Sequence, residues 1–366
     1  MMVATLGIAL PEIRETFALS TTAAGSLFSV MMGVAALASG IAGRLADRLG
    51  RKRVLITGLS LLALGFSGAG ASPAPIFFFA CLALTGVGYG FTAPSLYAIM
   101  SDLLPHRRGF GASLISVTYG IGGAVGAVLA SRIAAIWGWR AAVVTVGGIA
   151  AADMLSQLYF VRDIQRQRSA ARAGDFQSAF SRSLVLLAAM ECIGGSVFWS
   201  CAAWTPTALR GAKLLTLQET GWVMSLLSIA NMAGSFSLGS LSDRLGRKLV
   251  IMTSAVPSAI AAFFVFYWLE SALAIGAGIF IFGVLKASVP ALVVALAQET
   301  APPASAGTAA GIIMALHYTS GVIAPLLAGK LIAASGDILL AMVLVSSVPL
   351  IFYAALAAAV RERAVG

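Results

Sequence analysis

Apolar runs of about 18–25 residues recur along the whole chain, separated by short polar breaks. That is the length a helix needs to cross a lipid core roughly 30 Å thick. Within hydrocarbon every backbone N–H and C=O must be satisfied inside the segment, so the runs are read as helices. Only 10% of the 366 residues are charged, 59% are hydrophobic, and the mean hydropathy is +0.95. Soluble domains carry about 25% charged residues. The expected fold class is therefore an all-α polytopic membrane protein. Runs and breakers place spans at 1–10, 20–43, 54–71, 76–100, 109–134, 141–161, 184–206, 218–240, 249–268, 272–297, 307–332 and 338–360.

The net charge of +10 does not point to nucleic acid, because its distribution follows the membrane. Seventeen of the 24 Lys and Arg residues fall in loops of one parity, among them Arg44 to Arg53, Arg162 to Arg182, Arg244 to Lys248, Arg361 and Arg363. The positive-inside rule assigns that side, and the C-terminus with it, to the cytoplasm. A bacterial cytoplasmic (inner) membrane is the expected location. Cys81, Cys192 and Cys201 lie in apolar runs and read as small core hydrophobes.

Two halves repeat. The polar stretch 162–183 divides a bundle over 1–161 from a second over 184–366, with Asp47 mapping onto Asp243 at an offset of 196 residues. Internal repeats of this kind mark transporter architecture. Subtracting the offset from the start of the seventh span places the first span's start about a dozen residues before Met1. The first helix is therefore expected to be partial, ending at Pro11 before a charged "EIRE" loop, and a signal peptide fits poorly.

The same dense turn occurs in both halves, "GRLADRLGRK" from Gly43 and "GSLSDRLGRK" from Gly239. Each copy keeps Gly-x-x-x-Asp-Arg-x-Gly-Arg-Lys: Gly43, Asp47, Arg48, Gly50, Arg51 and Lys52, then Gly239, Asp243, Arg244, Gly246, Arg247 and Lys248. The spacing resembles the loop between the second and third helices of the major facilitator superfamily. "GWR" at Gly138 and the Pro-x-x-Arg-Gly run at Pro105 also fit that family. The resemblance implies two pseudo-symmetric six-helix bundles, twelve helices in all with the first incomplete. It also implies a secondary transporter that works by alternating access. Gly43 and Gly239 are expected to permit close helix approach, and each Asp gains from a helix N-terminal dipole. Two latches are expected, Arg48 and Arg51 with Asp102, and Arg244 and Arg247 with Glu299; the alternative is that these charges only set topology.

An ionisable group deep in a membrane helix costs at least about 2.5–3.5 kcal/mol, so it marks function by default. Asp153, Glu191, Lys286 and His317 qualify. At about 1.5 Å per residue, Lys286 and His317 share a level about 15–16 Å from the inner helix ends, with Glu191 at about 10 Å. The family lines its cavity with helices 1, 4, 7 and 10, which implicates Glu191 and Lys286. Lys286 is expected to receive an anionic substrate, while Glu191 either neutralises it when empty or carries a proton. A static Lys286–Glu191 bridge packing two helices is the alternative. His317 is a proton site or a hydrogen-bonding wall residue, and Asp153 a structural or lipid-interface residue. Tyr89, Tyr97, Trp199, Trp204 and Tyr318 are aromatic candidates for the cavity, Trp204 being assigned to the membrane interface. Gly122, Gly126 and Ala130 read as a small-residue packing stripe.

No metal cluster, cofactor motif or nucleophile elbow is present in the sequence, so no cofactor and no enzyme activity are expected. Two departures weaken a drug-efflux reading. Leu82 stands where many proton-coupled members carry an arginine, and "YGIGGAVGAVLASRI" lacks the proline of drug–proton antiporters. "FWSCAAWTPTAL" and "ETAPPASAGTAAGI" resemble carboxylate-type permeases. The expected partners are a small organic anion, protons and the lipid bilayer, with no nucleic acid and a monomeric state. Proton-driven efflux of drugs or sugars, and a transport-inactive sensor or scaffold, are the alternatives.

Overall fold

The computed structural model describes residues 1–104, 108–161, 181–286, 288–301 and 306–360. Arg107, Arg162, Arg166, Arg168, Arg172, Arg361 and Arg363, most of the expected 162–183 linker, and parts of the Pro105 and Pro302 runs lie outside the described residues. So do the side chains of Gly43, Arg44, Asp47, Asp102 and Asp243.

The fold is helical throughout the described residues. In chain order, α1 is Met2–Thr16, α2 Thr21–Leu49, α3 Arg51–Ala71 and α4 Pro75–Leu103. Arg108–Phe160 holds two spans, α5 and α6, that meet at Gly138. Then come α7 Arg182–Gly211, α8 Leu217–Leu245 and α9 Arg247–Phe263, the last running on into a π turn at Phe264–Trp268. Next, α10 is two pieces, Ala272–Lys286 and Ser288–Thr300; α11 is Ala306–Ser335 and α12 Ile338–Ala359. Nine stretches of the described residues are long and apolar enough to cross a membrane, and Val117–Phe160, with 44 residues, accommodates two crossings.

The repeated turn is one residue long. Leu49 ends α2 and Arg51 begins α3, with Gly50 between them at φ 94° and ψ 143°. Gly246 does the same between α8 and α9 at φ 90° and ψ 142°. This left-handed extended conformation is open almost only to glycine. A third such residue, Gly138 at φ 82° and ψ 166°, joins α5 to α6. The expected loop at 135–140 is therefore a corner in otherwise continuous helix. Side chains fix other helix starts: Ser20 and Ser181 accept from Ala23 N–H and Leu184 N–H, Thr216 and Glu219 form a capping box, and Asp337 caps α12.

One expected boundary is corrected. α1 does not stop at Pro11 but continues through it to Thr16, so Glu12 and Glu15 are helical. Proline removes one helical hydrogen bond, a loss that membrane helices absorb where a neighbouring helix covers the break; α1 packs here along α7.

Packing repeats with the sequence. The pairs α1 with α5, α2 with α4 and α3 with α6 recur as α7 with α11, α8 with α10 and α9 with α12. The two sets meet through α1 with α7, α2 with α11 and α5 with α8. These seams are built from small residues. Gly7 lies against Ala202, Gly25 against Pro325, Gly221 against Ser131, and Gly329 against Thr21 and the Trp204 ring. Most of these approaches lie toward the end opposite the Gly50 and Gly246 turns, hereafter the far end. There Arg210 Nη1 of α7 donates to Glu12 Oε1 of α1 at 2.5 Å.

Candidate functional site

Midway along the bundle, α7 presents Glu191 and Phe198–Trp199 to α11 and to the first piece of α10. Glu191 is 1% exposed, and its Oε1 lies 2.7 Å from Nδ1 of His317 on α11. Its second oxygen, Oε2, is buried with no hydrogen-bond partner among the described residues. At that distance the carboxylate and the imidazole are hydrogen-bonded, and the contact ties α7 to α11 inside the bundle. Gly195 is what lets α11 come so near: a Cβ there would stand 3.3 Å from His317 Nδ1 and closer still to Ser320 Oγ.

Lys286, at the end of the first piece of α10, is 3% exposed. Its Nζ lies over the ring of Phe198, 4.6 Å from the centroid. Among the described residues no carboxylate stands within 4.0 Å of it. The alternative of a static Lys286–Glu191 bridge is thus not found. Glu191 is committed to His317, and the lysine faces an aromatic ring. A cation over a ring gains about 0.5–2 kcal/mol, short of what an ion pair supplies in a dry site.

The aromatic residues divide by role. Trp199 is 2% exposed and its Nε1–H donates to His317 O at 3.1 Å, so it braces α7 on α11. Its ring occupies the space beside Gly321, where an added Cβ would lie 2.9 Å from it. Tyr318 and Tyr89 meet edge to face at 6.4 Å, joining α11 to α4 across the middle of the molecule. They line a small cleft with Ser39 and Gly90. Phe198, which opens the run "FWSCAAWTPTAL" but is not among the expected site residues, touches Lys286, Trp199 at 5.1 Å and His317 at 5.7 Å. One more aromatic in an apolar helix carries no signal of its own. Glu191, His317, Trp199 and Tyr318 are thus gathered into one cluster, with Lys286 joined through Phe198 and Tyr89 through Tyr318.

Among the remaining candidates, Trp204 is displaced from its expected place. Trp204 is not at an interface: it is wholly buried, and its Nε1–H donates to Pro325 O at 2.9 Å. Asp153 is exposed on α6, accepting from Gln157 Nε2 at 3.2 Å. Gly122 and Gly126 receive Met1 of α1, which makes their stripe a packing surface. Tyr97 is 37% exposed near the turn end of α4.

At the repeated turns, Arg247 Nη2 pairs with Glu299 Oε1 at 2.6 Å, tying α9 to the end of α10. Arg51 Nη1 reaches α4, donating to Ala98 O at 2.5 Å. Lys248 Nζ donates to Ala358 O and Val360 O at 2.7 and 2.8 Å, closing the free carbonyls at the end of α12. Arg48 and Arg244 are exposed, and Lys52 is half-buried. A Cβ on Gly239 would meet nothing within 4 Å among the described residues, so no close helix approach is found there.

Comparison with known proteins agrees with this architecture. The sequence matches the Major Facilitator Superfamily over residues 1–217 and again over 208–365. It is 31% identical over 354 residues to a 3-(3-hydroxy-phenyl)propionate transporter of Escherichia coli K12, covering 89% of this chain and 82% of that protein. A gallate transporter of Pseudomonas putida is 24% identical, covering 68% of this chain and 64% of that protein. A probable sulfoacetate transporter of Cupriavidus necator is 26% identical, covering 66% of this chain and 61% of that protein. Among solved structures, an inward-facing, occupied bacterial homologue of the human lysosomal transporter Spinster superposes with a TM-score of 0.83 at 14% identity, covering 100% of this chain and 96% of that one. The chain belongs to the major facilitator superfamily and is a multi-pass membrane transporter, not an enzyme.

Proposed function

We propose that this protein moves a small organic anion of the aromatic or related carboxylate class across the bacterial inner membrane, coupled to protons. Lys286 receives the carboxylate and Glu191 with His317 carries the proton. The observation that supports this most is a buried ammonium with no carboxylate partner among the described residues, lying beside a buried carboxylate–imidazole pair. A buried charge with no carboxylate in direct contact among the described residues is costly, so the site favours a ligand that brings one. The aromatic surfaces of Phe198, Trp199, Tyr318 and Tyr89 suit a ring attached to that carboxylate. Transporters named for 3-(3-hydroxy-phenyl)propionate and for gallate, both aromatic acids, are among the relatives.

The halves 1–161 and 184–366, joined by 162–183, rock about this site in alternating access. The Gly50 and Gly246 turns and the C-terminus face the cytoplasm, which makes the Glu12–Arg210 end the extracytoplasmic one. Arg247–Glu299 and the Arg51 contact with α4 brace the cytoplasmic ends of the helices that surround the site. The protein works as a monomer.

Uptake of labelled benzoate and 3-(3-hydroxy-phenyl)propionate into proteoliposomes tests the assignment. Lys286→Ala is expected to reduce uptake at least about a hundredfold, the consequence of removing a charge that pairs in a desolvated site. Uptake unchanged by Lys286→Ala would remove the lysine from the site.

A further inference from the structure

We propose that Phe198 makes this site prefer aromatic over saturated carboxylates, because its ring caps the Lys286 ammonium at rest and yields to an incoming ring better than to a saturated one. The proposal rests on the reading of Lys286 as the anion receiver and specifies what that lysine selects.

Geometry makes the ring a cap. Lys286 Nζ lies 4.6 Å from the Phe198 centroid, and the lysine is 3% exposed. Phe198 itself is only half-buried, whereas the ammonium beneath its ring is buried. Its neighbours are pinned. Trp199 donates a hydrogen bond to His317 O, and His317 is held by Glu191. Phe198 has ring contacts alone, edge-on to Trp199 at 87° and tilted on His317 at 42°. Unlike Trp199 and His317, it can change rotamer without breaking a hydrogen bond.

A carboxylate arriving at Nζ takes over the cation from the ring, so any anion meets the same competition. The rest of the ligand decides how well the displaced ring is accommodated. An aromatic ring offers Phe198 a stacking or edge contact in return, while a saturated ring of equal size offers dispersion only. Phe198 therefore acts as a specificity-determining residue.

The probes are benzoate and cyclohexanecarboxylate, each one carboxylate on a six-membered ring. Their dissociation constants are measured by calorimetry on the full chain in detergent. The native protein is expected to bind benzoate more tightly. Phe198→Leu is expected to narrow the ratio of the two constants about three- to tenfold, while Phe198→Tyr keeps it. If Phe198→Leu does not fold, Phe198→Met is read in its place. A native ratio near one, a ratio unchanged in the non-aromatic variant, or a ratio lost equally in Phe198→Tyr overturns the proposal. So does loss of both acids in every folded non-aromatic variant, which would make the ring packing for Lys286. Lys286→Ala reports separately: if it retains both acids, the anion-receiver reading fails whatever the Phe198 ratio shows.

Discussion

Glu191 has one oxygen committed to His317 and the other buried with no partner among the described residues. On the proposed coupling this asymmetry matters, because the pair holds one proton and retains one acceptor for whatever enters. Glu191→Gln keeps the volume and a hydrogen bond to His317 but cannot exchange a proton. It is expected to abolish accumulation driven by a pH gradient while sparing exchange of internal for external substrate. Proteoliposomes assayed with and without the gradient separate the two, and gradient-driven accumulation at the native rate would exclude Glu191 as the carrier. His317→Ala is harsher. It strips the partner from a buried carboxylate, a change that costs about 3–5 kcal/mol where the charge persists, and is expected to lower the melting temperature in detergent. The candidates themselves are legible in the sequence, since an ionisable side chain in an apolar run stands out by its insertion cost. Their pairing is not. Sequence position gives depth along a helix axis but not the facing of one helix toward another: depth sets Lys286 level with His317, the family's cavity-lining helices couple Glu191 to Lys286, and the structure pairs Glu191 with His317. Phe198 and the burial of Trp204 are invisible for the opposite reason, both being apolar residues in apolar surroundings.

Among the helices, the most readable element is the repeated turn. Its second glycine adopts nearly the same left-handed extended conformation in both halves, at Gly50 and at Gly246, and reverses the chain in one residue. An alanine there is strained whatever space surrounds it. Gly50→Ala and Gly246→Ala are each expected to destabilise the protein by about 1–3 kcal/mol. Gly239 provides the contrast, since it lies within α8 and an added Cβ meets nothing among the described residues. Gly239→Ala is expected to be neutral or stabilising by up to about 1 kcal/mol. Thermal unfolding in detergent ranks the three, and equal shifts would show that backbone conformation does not set the cost. Helix ends are less legible where the breaker is weaker than its reputation. Pro11 reads as a stop, yet α1 passes through it because α7 packs alongside. Gly138 reads as part of a loop, yet one residue suffices for the corner.

At the scale of the whole molecule, the halves pack closely at the far end and are joined there, among the described residues, by one charge pair that no motif announces. Glu12 and Arg210 are each about one-quarter exposed; at this end Gly7 and Gly25 bring backbones together, and Gly329 lies against Thr21 O and the Trp204 ring. Small-residue seams favour close van der Waals packing, and they part as a unit, since a gap of 1 Å already forfeits much of the attraction. The ion pair biases that two-state opening without carrying it. A partly exposed pair contributes about 0.2–1 kcal/mol, which corresponds to about a one- to fivefold shift in the open population. Thr5 offers the reporter, being wholly buried on α1, the helix that carries Glu12. In a background without native cysteines, Thr5→Cys should react slowly with an impermeant maleimide added to whole cells. Arg210→Ala is expected to raise that rate up to about fivefold, and the reciprocal exchange Glu12→Arg with Arg210→Glu to restore it. A rate indifferent to Arg210→Ala would mean that the glycine seam alone holds this end shut, and that the ion pair is a consequence of closure, not a contributor to it.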